Sequence, residues 1–313
     1  MAVAGGEPTP PAIGLGWEYD LSGAREEFLL PDPLPDAAVT AEHPFYVRLR
    51  VPWSLVEPET GRYDWYEVDR IVDAYRASNH VVLLCLYGGN RAVNEAGDVP
   101  TSKRPAVVKS WLDMLRAAAA HFQGRVLSFE IGRAPNLDPE WAGTGVTEYA
   151  YFLKHSSVTI RSADPKALVV QGMLAIPEAD PEEALGWQAA LYRQDIATYV
   201  DALPIRLAPA LPRRMMIARA YGLLLDHDPS AQVWSVEEAS EAGSGRERAA
   251  DLMRQFVIGQ GEGGDPRDVR PRSRRRRPAG IPRDAARSAP ALPARLCAAA
   301  GGRQSGAEPG GTG

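Results

Sequence analysis

Phe45–Val51 (FYVRLRV) alternates apolar and polar side chains. Behind it, Val68, Ile71, Val72 and Tyr75 recur at i, i+3, i+4 and i+7, and Val81–Tyr87 (VVLLCLY) is apolar throughout. The first run is strand-like and the second marks one face of a helix. The third has the character of a parallel strand covered on both faces. Together they make one strand–helix–strand unit, and the rest of the chain repeats it. Downstream, Val108, Trp111, Leu112 and Leu115 mark a helix, Val126–Ile131 a strand, Glu148–Ser162 a helix and Leu168–Leu174 a strand. A helix near Leu185–Tyr199, a weak strand at Val200–Leu207 and a helix around Arg213–Asp226 follow. Gln232–Val236 is a further strand, and Ala249, Leu252, Met253 and Phe256 line the helix after it. Upstream, Ile13–Trp17 opens the series, joined to the rest by a proline-rich, acidic connection from Tyr19 to His43.

Seven strands, nearly all separated by helices, predict a parallel sheet with helical crossovers. Their number favours an α/β fold of the TIM (β/α)8 barrel type, with the eighth unit missing or disordered. The expected organisation is a flexible N-terminus over residues 1–11, a barrel over 12–261 and a tail over 262–313. That tail turns to Arg, Pro, Gly, Ala and Ser, with Arg274–Arg277 in its middle and no aromatic residue. Such a composition buries too little apolar surface to offset the entropy of ordering. It reads as a disordered tail, a basic arm or the product of a shifted reading frame, and the abrupt change favours the last. Without the eighth strand, the first and seventh would keep open edges through which a second copy or another partner could pair.

The formal charge of −5 conceals a split. The tail holds 11 arginines against 5 acidic residues, a balance of +6, which leaves −5 − 6 = −11 for the rest. An acidic body suits neither nucleic acid nor an anionic membrane, since both reward Lys and Arg. No apolar run reaches the roughly 20 residues of a membrane span, and the N-terminus lacks the basic start and apolar stretch of a signal. A cytoplasmic protein is expected. Cys85 lies in an apolar run and Cys297 in the tail, which is no disulfide framework. The five histidines show no paired ligand spacing, and Gly259, Gly261 and Gly264 follow a helix rather than a strand. Neither a metal nor another cofactor is expected.

In such barrels catalytic side chains stand at the C-terminal ends of strands. That rule selects Trp17, Glu18 and Asp20 at the first strand, and Arg48, Arg50 and Trp53 at the second. It adds Tyr87, Asn90 and Arg91 after the third, and Glu130, Arg133 and Asn136 at the fourth. Gln171, Arg206, Glu237 and Glu238 complete the set on later strands. Each aromatic residue here, like Trp141, is a sugar-stacking platform or simple packing.

Trp53–Trp65 (WSLVEPETGRYDW) resembles the W-x-x-x-E-P-x-x-G-x-Y-D-(F/W) signature of clan A glycoside hydrolases, which include β-xylosidases, β-galactosidases and cellulases. Its glutamate, Glu57, reads as a structural or rim residue. Phe129–Asn136 (FEIGRAPN) is similar to (Y/F)-E-(I/V)-W-N-E-P-N, whose Asn-Glu pair binds the sugar 2-hydroxyl and protonates the leaving oxygen. Residue by residue, these fall on Arg133 and Ala134. Ala134 cannot move a proton, and general acid/base work contributes ~10²–10⁴-fold to rate. Glu130 survives, but four residues back, roughly 13 Å at ~3.3 Å per residue. Val233–Glu237 (VWSVE) resembles V-W-(V/L)-T-E, which makes Glu237 the nucleophile equivalent and Glu238 its neighbour. Arg206 stands where the family has a histidine.

The resemblance, covering about Phe45 to Gly261, implies a catalytically impaired glycosidase with a carbohydrate-binding cleft. Substrate-binding candidates are Trp17, Glu18, Arg50, Trp53, Tyr87, Asn90, Glu130, Arg133, Asn136, Arg206 and Glu238. Arginines at the mouth (Arg48, Arg133, Arg206) point to an anionic sugar such as a uronic acid. The alternatives are an active retaining glycosidase with Glu237 as nucleophile and a displaced acid (Glu18, Glu130 or Glu238), and an interaction protein on a vestigial barrel.

Overall fold

The computed structural model describes residues 14–21, 45–97, 99–137, 145–208, 210–227, 232–238 and 295–301. Nine strands appear among them: β1 (Gly14–Asp20), β2 (Phe45–Pro52), β3 (His80–Tyr87), β4 (Ser128–Ile131), β5 (Leu168–Gln171), β6 (Leu174–Ile176), β7 (Ala202–Leu207), β8 (Gln232–Glu238) and β9 (Arg295–Gly301). Between them lie α1 (Tyr66–Ala77), α2 (Pro105–His121), α3 (Gly145–Ala163), α4 (Pro181–Tyr192) and α5 (Arg213–Leu225). The order in the sheet is β5-β4-β3-β2-β1-β9-β8-β7-β6, and Val170 of β5 also pairs with Ala202 of β7. Every strand pairing is parallel. With β5 and β6 as two pieces of one interrupted strand, the pairings close a ring of eight places.

The expected barrel is therefore present, with two differences. Leu168–Leu174 is not one strand: it breaks at Gly172 and Met173, and its second piece runs on to Ile176. Arg295–Gly301, inside the tail read as structureless, occupies the eighth place between β1 and β8. The edge expected to stay open for self-association is thus paired within the chain. Residues 1–11 and the helix expected at Ala249–Phe256 lie outside the described residues.

Two apolar layers hold the ring. Alternate residues of the strands, among them Val47, Leu49, Val51, Val82, Leu84, Leu86, Phe129 and Ile131, pack outward against Val68, Ile71, Val72 and Tyr75 of α1 and Val107, Trp111, Met114 and Leu115 of α2. In α1 the helical spacing read from sequence is the buried face observed, whereas in α2 Leu112 is half-buried and Val107 and Met114 join the face. The opposite phase supplies Tyr46, Leu83, Val170, Ala202 and Trp234, a separate cluster that fills the floor of the ring. Period two along each strand then carries the chain upward from this floor. β2 runs Tyr46, Arg48, Arg50, and β3 runs Leu83, Cys85, Tyr87.

Candidate active site at the barrel mouth

Above the floor lies an ion pair. Arg48 and Glu130 are 5% and 4% exposed, so neither is solvated. Arg48 Nε donates to Glu130 Oε2 at 2.7 Å and Arg48 Nη2 to Glu130 Oε1 at 2.7 Å, the bidentate geometry a planar guanidinium favours. Glu130 Oε1 also accepts from Met173 N at 3.1 Å, across the β5–β6 break. Arg48 Nη2 further reaches Cys85 Sγ at 3.6 Å and the Arg133 carbonyl at 3.4 Å. Glu130 thus accepts from three N–H groups, the behaviour of a carboxylate, which has no proton to donate.

The mouth proper carries Arg50, Tyr87, Arg133 and Arg206. The three arginines are half-buried. The Arg133 guanidinium lies 5.4 Å from the centre of the Tyr87 ring, a cation–π arrangement. Arg206 is in register with Ala175 of β6. Arg48, counted from sequence with the mouth arginines, is instead committed to Glu130 one layer below.

Ala134 follows β4 directly and is 7% exposed. Its turn is anchored on both sides. Tyr149 Oη, from α3, donates to the Ile131 carbonyl at 2.7 Å and accepts from Gly172 N at 2.6 Å. Full burial pushes the Tyr149 hydroxyl pKa up, so it stays protonated and able to donate. Asn136 Nδ2 donates to the Ala175 carbonyl at 2.7 Å, and Asn136 Oδ1 accepts from Ala175 N at 3.1 Å. Gln171 and Gln188 exchange amide hydrogen bonds at 2.8 and 3.0 Å behind the seam.

Three sequence-selected residues are held inside the scaffold. Trp53 is fully buried in the outer core, its indole edge-on to Trp111 with ring centres 5.3 Å apart, so no face is open to a sugar. Its Nε1 donates to Glu57 Oε2 at 2.6 Å, while Glu57 Oε1 accepts from Gly61 N at 2.6 Å. Glu57 is the structural residue that its motif suggests. Asn90 is 2% exposed and ties two loops, donating to the Glu57 carbonyl at 2.8 Å and accepting from Ala92 N at 2.9 Å. Asn136 pairs with β6 rather than standing free at the mouth. Sequence reasoning missed Tyr149, which sits in the second turn of α3 and carries no motif.

Trp17, Glu18, Glu237 and Glu238 are described by backbone alone. β1 and β8 bring their positions to the ring, and β8 stands three places from β4. Val233 packs in the outer layer and Trp234 in the floor cluster. Positions 236 and 238 therefore share a strand face with Trp234, and position 237 takes the other. Trp141 lies outside the described residues. Among the described residues, no group of three His, Cys, Asp or Glu could hold a metal ion, and no helix is long and apolar enough to cross a membrane.

Solved structures of known enzymes share this fold. A family 39 glycoside hydrolase from Bacteroides cellulosilyticus WH2 superposes with a TM-score of 0.60 at 16% identity over 92% of this chain. The fold is that of the glycoside-hydrolase barrels. Xylanase 10B from Thermotoga petrophila RKU-1, solved with xylobiose, matches over 93% of the chain and 82% of its own length (TM-score 0.57, 12% identity). Endo-glycoceramidase II from Rhodococcus sp., solved with a five-membered iminocyclitol, matches over 82% of the chain and 74% of its own length (TM-score 0.52, 15% identity). The chain spans 56% of the length of the family 39 enzyme. No protein-family model and no curated protein matches the sequence. The likeness to glycoside-hydrolase barrels is one of fold.

Proposed function

We propose that this glycosidase-like barrel binds carbohydrate at its mouth and is impaired in hydrolysis. The observation that carries the reading is the pair Ala134 and Glu130. Ala134 has no titratable group, and the one carboxylate described behind it is locked by Arg48 and Met173 N. General acid/base assistance is then missing from the β4 side, where a retaining pair needs carboxyl groups about 5–5.5 Å apart. Sugar-like ligands in two of the fold neighbours support carbohydrate as the ligand class. Arg50, Arg133 and Arg206 around the mouth favour an acidic sugar, since guanidinium pairs with carboxylate. Calorimetry with neutral xylo-oligosaccharides and their glucuronic-acid-substituted forms tests this: binding is expected, tighter for the acidic set. No heat with either set removes the binding role.

A second reading, slow retaining hydrolysis with a β8 glutamate (Glu237 or Glu238) as nucleophile, is favoured by the presence of β4 and β8 in one closed ring, three places apart. Dinitrophenyl glycosides, whose leaving group needs no proton, are its probe. Turnover unchanged in Glu237→Gln removes that residue from the chemistry.

A further inference from the structure

We infer that Arg133 is the residue that selects acidic over neutral sugars at the mouth, and that Tyr87 holds it for that task. The inference deepens the carbohydrate-binding reading and rests on it. Gly132 N donates to the Leu86 carbonyl at 2.8 Å, which carries the β3–β4 ladder past its last register pair, Leu86 with Ile131. Gly132 then adopts φ = 84°, a left-handed value that residues with a Cβ resist. The chain turns there. The next residue, Arg133, sets its guanidinium over the Tyr87 ring, 5.4 Å from the ring centre. Its carbonyl accepts from Arg48 Nη2 at 3.4 Å, so the backbone at this point is held from below. Tyr87 belongs to the inward phase of β3 and is 7% exposed, while Arg133 is half-buried. Tyr87 is therefore not an open stacking platform: the face under Arg133 is closed to a sugar.

A guanidinium over an aromatic face keeps its N–H groups at the edge of its own plane, the direction from which a carboxylate pairs with two of them. The ring restrains the side chain before any ligand arrives, so less freedom is lost when that pair forms. The same contact works against neutral sugars, because a face that could pack on the apolar side of a sugar already carries a cation. Attraction for one class and obstruction of the other then reside in one side chain. Arg133 is the specificity-determining residue, and Tyr87 positions it.

The test uses the full chain and calorimetry with neutral xylo-oligosaccharides and their glucuronic-acid-substituted forms, read as the ratio of the two affinities. Arg133→Met keeps the stem and removes the charge. It is expected to lower the acidic-to-neutral ratio by ~10–100-fold, the scale of hydrogen bonds to a charged group. Neutral oligosaccharides should bind this variant at least as tightly as the parent, because the Tyr87 face is uncovered. Arg133→Lys should keep only part of the ratio, since a point charge replaces the planar fork. Tyr87→Leu should lower the ratio about twofold to fivefold, whereas a merely structural role would weaken both sets alike. Arg206→Met removes the same charge from the mouth and should move the ratio less than Arg133→Met. An unchanged ratio in Arg133→Met overturns the inference and leaves carbohydrate binding standing. An equal fall in Arg206→Met overturns it as well, giving selection to the charge of the whole mouth. If Tyr87→Leu leaves the ratio unchanged, the positioning role of Tyr87 is overturned. If the parent binds both sets equally, carbohydrate binding stands and the inference is overturned. If the parent binds neither set, the carbohydrate reading falls, and this inference with it. Should Arg133→Met not fold, Arg133→Lys decides alone: a ratio lower by about threefold or more supports the inference, and an unchanged ratio overturns it.

Discussion

Arg48 and Glu130 face each other between β2 and β4 through two 2.7 Å hydrogen bonds, both residues almost wholly enclosed. Removing one partner of such a pair leaves an uncompensated charge, at a cost of ~3–5 kcal/mol. Arg48→Met or Glu130→Gln should each lower unfolding stability by about that amount in urea denaturation. Arg48→Met combined with Glu130→Leu should recover much of the loss. A loss in the double equal to the sum of the two single losses would show that the charges are not coupled.

Glycines sort by what surrounds them. Gly172→Ala drives a methyl group into Pro135 and two carbonyls and should cost ~1–3 kcal/mol, the range for overpacking. Gly186 in α4 and Gly222 in α5 face open space, and Ala there should stabilise by ~0.8–1 kcal/mol through helix propensity. Thermal melts of the three variants should move in opposite directions.

Glu57 supplies a different kind of test, because its motif invites a catalytic role. With Oε2 on Trp53 and Oε1 on Gly61, Glu57→Gln replaces an acceptor oxygen by a donor and should cost ~1.5–3 kcal/mol, the scale of a hydrogen bond to a charged group. Ligand affinity by calorimetry should stay within twofold. A loss of binding at unchanged stability would return Glu57 to the site.

His80 gives a pH dependence. Burial pulls its pKa below the usual histidine value, against smaller opposing effects of hydrogen bonds with the Ser78 and Tyr75 backbones. A depressed histidine favours the neutral ring in the folded state, so the unfolded chain binds more protons between the two pKa values. Its contribution is complete above about pH 6.5, the ordinary histidine value, and declines as pH falls through the folded value. Denaturation from pH 7 to 5 should show a shallower decline in His80→Gln. An unchanged slope would exclude this histidine.

At β8, strand alternation and motif disagree. The motif selects Glu237, whereas the phase set by Val233 and Trp234 selects position 238. Glu237→Gln and Glu238→Gln, compared on a dinitrophenyl glycoside, should show the larger loss for Glu238. The reverse result would mean that the alternation breaks at the strand end.

Strands and helices were legible where periodicity was strong. The buried face of α1 is the set Val68, Ile71, Val72 and Tyr75, and β3 starts one residue before the apolar run that announces it. The break between β5 and β6 falls at Gly172 in VVQGML, where an added Cβ would meet the β4 turn, a tertiary contact that the local sequence does not announce. β9 was overlooked because Ala298, Ala299 and Ala300 carry little strand propensity. At the site, the strand-end rule selects Arg50, Tyr87, Arg133 and Arg206, which lie at or just beyond the C-terminal ends of their strands. It also selects Asn90 and Asn136, whose amides complete the hydrogen bonding of backbone, and Trp53, whose indole is spent on Glu57. Position along a strand can be counted from sequence, but which polar group a loop keeps for itself cannot.

The ring closes through one residue pair, Val170 with Ala202, reinforced by Asp201, whose amide donates to the Val169 carbonyl at 2.7 Å and whose Oδ2 accepts from Val169 N at 2.7 Å. Elsewhere adjoining strands share three to eight register pairs. Cooperative units part where the fewest ladder bonds resist. In deuterated solvent, the amides of Val169 and Asp201 should therefore exchange well before those of β2 and β3, and a protease should find its first internal foothold at this seam.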